Sequence, residues 1–283
     1  MGCDMPNAVI TDLAIKYSHS TETSSTYMVD TSQWHCIGKD LYLHSGRRGA
    51  YLHVALAEEN KLTANDKVVT DVKIGDDDPN NGTDNSWEKR TSGVWVQRGN
   101  YTGDINQVVT GLDVLFGADA VDPRPDWTLL QSPLHLDNEI EIPTAKLTIR
   151  HGKPSSRPEP SKLRVREDGK FKIVQISDTH MVTGVGVCKD AIDAHGQPLP
   201  NSEADPLTVS FVKEILDVEK PDLVILSGDQ LHHDILDSQS ALFKAVAPMI
   251  ERSIPYAAVF GNHDDEGIHA LSRKLHISSP VNL

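Results

Sequence analysis

Three short polar clusters carry residue types that can work together: Ser177-Asp178-Thr179-His180, Ser227-Gly228-Asp229-Gln230 and Gly261-Asn262-His263-Asp264-Asp265. Asp178 and His180 stand two residues apart, so on an extended chain both side chains point the same way and can hold one ion. Asp229 is a carboxylate able to bridge two ions. The Asn262 carbonyl oxygen is a neutral ligand for the second. A mixed nitrogen and oxygen set suits Zn, Fe or Mn rather than a thiolate site. Two bridged ions activate water and clamp a phosphoryl group for in-line attack. Gly228 and Gly261 allow sharp turns beside these ligands. Any one cluster alone reads as a solvated turn. All three in order point to a metal site.

Each cluster follows an apolar run. Phe171 to Ile176, Leu223 to Leu226 and Tyr256 to Phe260 read as strands. Asp205-Pro206 reads as a helix start, with Asp205 as N-cap and Pro206 in the first turn. Leu207, Phe211, Ile215 and Leu216 then share one face, and Lys220-Pro221 ends the helix. A second helix begins near Asp237 or Ser238, carries Leu242, Val246, Met249 and Ile250 as its stripe, and contains Pro248. This β-α-β-α-β order predicts a parallel sheet with right-handed crossovers. The carboxyl ends of such strands line a ligand crevice, which brings the clusters together.

The three clusters resemble the calcineurin-like metallophosphoesterase superfamily, whose pattern is Asp-x-His, Gly-Asp, then Gly-Asn-His-Asp/Glu. Phe171 to Gly267 is most similar to a branch holding fungal phosphatases and plant purple-acid-phosphatase-like proteins. The resemblance implies that Asp178, His180 and Asp229 hold the first of two divalent or trivalent ions, and that Asp229 and Asn262 hold the second. It implies His263 as the general acid for the leaving oxygen and Asp264 as its orienting partner. Many relatives place a second carboxylate three residues after the bridging Asp; here that position is His232. His232 and His233 read as solvated loop histidines, with Asp234 as a stand-in carboxylate. The resemblance further implies a phosphoric monoester hydrolase acting on phosphorylated protein.

The family pattern continues to another His ligand and a Gly-His-x-His cluster. Only 16 residues follow Gly267, and they contain neither. The expectation is an incomplete domain, from a truncated product or a shortened gene model. His269 and His276 read as helix or coil rather than as replacement ligands. The first ion then has three protein ligands and the second has two.

The first half reads as β-rich, with short strands such as Leu41-Tyr42-Leu43, Ala50 to Ala57 and Gly93 to Gln97. One strand recurs three times, as Val9 to Ile15, Val68 to Ile74 and Val108 to Val114, each with a Thr third. Irregular spacing excludes a solenoid and suits a pseudo-threefold β-prism. The repeats resemble membrane-associating β-prism domains. The expected organisation is therefore α+β and multidomain. A β-prism domain spans 1–151, a Pro-rich linker 152–162, and the N-terminal part of an α/β metallophosphoesterase β-sandwich 163–283.

The chain has 283 residues, 38% of them hydrophobic, and a net charge of -14. Neither half is basic, which disfavours nucleic acid and anionic lipid as partners. No run of about 18 apolar residues is present to span a membrane. Three cysteines without a Cys-x-x-Cys pair fit a reducing, cytoplasmic setting. Oligomeric state is not legible. The competing reading is a catalytically impaired fragment that binds partners through its β-rich domain.

Overall fold

The computed structural model describes residues 7–19, 34–45, 48–80, 86–137, 142–155, 163–199 and 202–264. Most of the expected linker, 156–162, lies outside these residues, as do His269 and His276. The chain divides into two compact units: 1–115 with 124–155, and 116–123 with 156–283. The short stretch Phe116–Pro123 belongs to the second unit although it lies within the first in sequence.

The first unit contains three sheets of three strands each. They are β1 (Ala8–His19), β2 (Trp34–Asp40) and β3 (Arg48–Glu58); β4 (Lys67–Ile74), β5 (Trp87–Lys89) and β6 (Val94–Asn100); and β7 (Val109–Phe116), β8 (Trp127–Leu129) and β9 (Ala145–His151). Each sheet has the same order, first strand, third, second. The recurring sequence supplies the leading strand of every sheet. Its Thr also has a structural meaning. The β1–β3 register shifts between Ile10 and Asp12, and the β4–β6 register between Val69 and Asp71, so Thr11 and Thr70 are bulge residues. The next Asp stabilises each bulge: Leu13 N–H donates to Asp12 and Val72 N–H donates to Asp71, both at 2.8 Å. The third copy has Gly111 there, because a Cβ would meet the Trp127 ring at 2.8 Å.

Leu41-Tyr42-Leu43, expected as a strand, is a turn. Leu43 and His44 have φ of 52° and 58°. The Asp40 carboxylate accepts N–H bonds from Tyr42 at 3.1 Å, His44 at 3.0 Å and Ala50 at 3.0 Å. A short acceptor that offers the backbone this alternative outweighs the β tendency of the apolar residues.

The second unit holds a parallel sheet of β10 (Ile173–Ile176), β11 (Leu223–Leu226) and β12 (Tyr256–Ala258), in that order. Helices α1 (Ala204–Glu219) and α2 (Ser238–Glu251) make the crossovers. Val224, Leu226, Leu216, Ala241 and Met249 form the centre of its core. Asp237 caps α2, accepting from Ser240 N–H at 2.9 Å, and the helix continues through Pro248. No second sheet is present among the described residues of this unit.

The start and facing of α1 differ from expectation. Glu203 is the N-cap and makes no side-chain cap bond, while Asp205 lies buried in the first turn. Asp205 and Asp119 pair with the buried Lys244 ammonium, Asp119 at 2.8 Å. Lys244 also donates to Gly184 O at 2.6 Å. Asp205, Val212 and Leu216 face inward, whereas Leu207 and Phe211 are exposed. An unpaired ammonium in this core would cost far more than two exposed apolar side chains, so the ion pair sets the helix rotation.

Candidate metal centre

Where β10 and β11 end, the ladder does not simply splay. Ser227 N–H donates to Ile176 O, Asp178 N–H to Gly228 O, His180 N–H to Asp229 O and Met181 N–H to Gln230 O, at 2.9 to 3.1 Å. The buried Gln230 side chain ties the same loops together, donating to Gly228 O at 2.7 Å and meeting the Thr179 hydroxyl at 3.0 Å. Two loops distant in sequence are thus held side by side beyond the sheet.

In this zipper Asp178, His180 and Asp229 have φ of 57°, 47° and 51°. The extended backbone expected for Asp178 and His180 is therefore absent. Left-handed turns bring the side chains together, and such strain is characteristic of functional loops. One ligand atom from each of Asp178, His180 and Asp229 lies within 4.8 Å of the others. His180 Nε2 is 4.0 Å from Asp178 Oδ1. That separation is within the span of one ion with bonds of about 2.0–2.2 Å. His180 Nδ1 is buried without a hydrogen-bond partner among the described residues, a cost that an ion or water would relieve. The mixed nitrogen and oxygen donor set fits a metal ion.

The loop after β12 is locked onto the same place. Asp264 is buried and accepts three backbone N–H bonds: Gly261 at 2.7 Å, Asp229 at 2.8 Å and Leu231 at 2.9 Å. Expected as an orienting partner for the His263 ring, Asp264 instead spends both oxygens on the main chain. It positions the backbone that carries His263 and Asp229. His263 N–H in turn donates to Asp229 Oδ1 at 2.8 Å. Asn262 is exposed on this loop.

The glycines follow from this closeness. A Cβ on Gly261 would run into Asp229, 2.6 Å from its Cγ, and one on Gly228 would lie 2.8 Å from Gly261 Cα. Gly228 also has φ of 107°, so it turns the chain as expected. At Gly261 the requirement is space rather than dihedral freedom.

The structure also brings in two residues that sequence reasoning left in solvent. Ring centroids of His232 and His233 are 4.2 Å apart. His232 is 6.0 Å from His180, and His233 is 5.3 Å from His263. His180 and His263 are themselves 5.4 Å apart. Burial pulls the His232 pKa below its ordinary value, and the neighbouring His233, His180 and His263 add to the effect. The available signal was position: both follow the Gly228-Asp229 turn by three and four residues. Their adjacency to His180 depends on the β10–β11 zipper, which no local pattern shows.

Residues 171–282 match the calcineurin-like phosphoesterase family. Phosphatase DCR2 of Saccharomyces cerevisiae is 40% identical over 185 residues, 61% of this chain and 28% of that protein. Probable inactive purple acid phosphatase 28 of Arabidopsis thaliana is 36% identical over 124 residues, 43% of this chain and 30% of that protein. Protein SIA1 of Kluyveromyces lactis is 28% identical over 187 residues, covering 62% and 30% respectively. The chain thus spans about three-tenths of the length of these relatives.

Proposed function

We propose, from a chain whose residues 171–282 match the calcineurin-like phosphoesterase family, that this protein is a metal-dependent hydrolase of phosphoric monoesters, with phosphorylated protein as substrate. The observation that carries the reading is the convergence of Asp178, His180 and Asp229 from two separate loops. These three would hold one ion, of Mn, Fe or Zn, and Asp229 with Asn262 a second. Bound ions of this kind supply Lewis acidity and lower the pKa of water. In the hydrolysis a water oxygen would bond to phosphorus and give up a proton to solvent, the phosphorus–oxygen bond to the alcohol would break, and the protonated His263 ring would give its proton to the leaving oxygen. Asp264 keeps the backbone of Asp229 and His263 in register. The phosphatase name of the yeast relative supports the reaction class.

The same proposal includes the division near 152–162, a β-prism in the first unit and a cytoplasmic setting. Three sheets of identical strand order support the β-prism. No helix among the described residues is long and apolar enough to cross a membrane.

A second reading is a catalytically impaired protein that acts through its β-rich unit. It is favoured by relatives named as probable inactive purple acid phosphatases. Hydrolysis of p-nitrophenyl phosphate, with Mn, Fe or Zn supplied to wild type and Asp229→Asn, separates the two. Turnover in wild type that falls at least about a hundredfold in the variant supports the phosphatase. Stoichiometric metal uptake without turnover supports the binding protein, and equal turnover in both rejects the proposed site.

A further inference from the structure

The hydrogen bond at His232 fixes more than a loop. The Asp234 backbone N–H donates to His232 Nδ1 at 3.2 Å. A nitrogen that accepts cannot carry the ring proton, so in the neutral imidazole the proton sits on Nε2. His232 is thereby held as an N–H donor whose donating nitrogen is turned away from its own loop backbone. Its ring lies edge-on to the metal-ligand candidate His180, and His233 beside it lies against His263. Two imidazoles thus flank His180 and His263, the candidate metal ligand and the proposed general acid. An acid at position 232 would add negative charge to a site already containing Asp178 and Asp229, and would repel an anion. A fixed N–H donor does the reverse.

We propose that His232, through Nε2–H, is a substrate-binding residue that contacts a phosphoryl oxygen, with His233 as a weaker second contact, and that the pair favours phosphomonoester dianions over phosphodiester monoanions. This deepens the phosphatase reading and rests on it.

The test uses the full chain and two probes, Mn2+ and inorganic phosphate. In the metal-free protein labelled with 15N-histidine, His232 shows the Nε2–H tautomer. In the Mn2+-loaded protein, calorimetry shows phosphate affinity about tenfold weaker for His232→Ala and about threefold weaker for His233→Ala. Mn2+ affinity stays within about twofold in both, the size of loss expected for one charge-assisted hydrogen bond. His232→Gln, which keeps an N–H donor, recovers most of the loss, whereas a merely structural role would not distinguish Gln from Ala. Dimethyl phosphate binds weakly and is indifferent to His232→Ala. An Nδ1–H tautomer, or unchanged phosphate affinity in His232→Ala with Mn2+ retained, overturns the inference alone. A wild-type chain that takes up no Mn2+ overturns the metal reading and this inference with it.

Discussion

Every residue of β7, from Val109 to Phe116, is buried, whereas none of the four residues of β10 is. Each unit also has a buried ion-pair node, and the group at its centre differs in sign. In the β-rich unit a fully buried carboxylate, Asp113, faces two bases, Lys39 at 3.6 Å and Arg124 at 3.1 Å. In the sheet-and-helix unit a buried ammonium, Lys244, faces two acids, Asp119 and Asp205. The partners differ in exposure: the Lys39 and Arg124 side chains are 8% and 22% exposed, while those of Asp119 and Asp205 are 12% and 3% exposed. The β-rich unit therefore shares its ionic node with solvent and relies on repeated apolar strands. In the other unit Phe211 and Val218 on α1 and Val259 after β12 are exposed, and a closed ionic node lies behind the candidate site loops. Asp205 accepts from Val182 N–H at 3.0 Å, two residues after His180, so the node also holds the metal loop.

The largest expected effect comes from breaking that closed node. Lys244→Met leaves two buried carboxylates uncompensated and should destabilise the second unit by about 3–5 kcal/mol in urea unfolding. Asp113→Asn, the matching cut in the β-rich unit, should cost only about 1–3 kcal/mol, because Arg124 can turn to water and the buried Lys39 ammonium keeps its bond to Val114 O. Equal costs would erase the contrast between the units.

Glycine replacements sharpen it further. Gly261→Ala and Gly111→Ala each force a Cβ into an occupied space, the Asp229 carboxylate in one case and the Trp127 ring in the other. Both should lose about 1–3 kcal/mol by thermal melting. Only Gly261→Ala should also weaken Mn2+ binding, because only it displaces a ligand. Loss of Mn2+ affinity in Gly111→Ala would contradict a metal centre confined to the second unit.

The smallest effect is expected at the entry to the parallel sheet. The Arg166 guanidinium, at 2.8 Å, and the Lys172 N–H, at 2.7 Å, hold the Asp222 carboxyl below its ordinary pKa. A carboxyl lowered by folding contributes stability above its unfolded pKa, and that contribution disappears as pH falls through the folded value. Asp222→Asn should therefore be slightly less stable than wild type at neutral pH, with the difference vanishing as pH falls below about 4. A variant with an unaltered acid limb would remove this pair from the account.

Much of the centre was legible in the sequence because its ligands sit at strand ends, where apolar runs announce the strands and polar clusters announce the turns. The leading strands of the first two sheets were legible for a related reason, since a β-bulge with an Asp acceptor leaves a repeated Thr-Asp step. What stayed hidden depends on contacts distant in sequence. The left-handed turns at Asp178 and His180 arise from bonds to residues about 50 positions later. The facing of α1 is set by Lys244, and the inclusion of His232 and His233 by the zipper beyond β10 and β11. Asp264 shows the limit most plainly. Its motif position suggested a partner for an imidazole, but its burial turns both oxygens to three backbone amides.

The most direct test of the central claim is Mn2+ binding to the purified chain, followed by electron paramagnetic resonance, for wild type and Asp229→Asn. Convergence of Asp178, His180 and Asp229 on one ion requires saturable uptake by wild type and an affinity at least about a hundredfold lower in the variant. Equal Mn2+ affinity in the two proteins would contradict it.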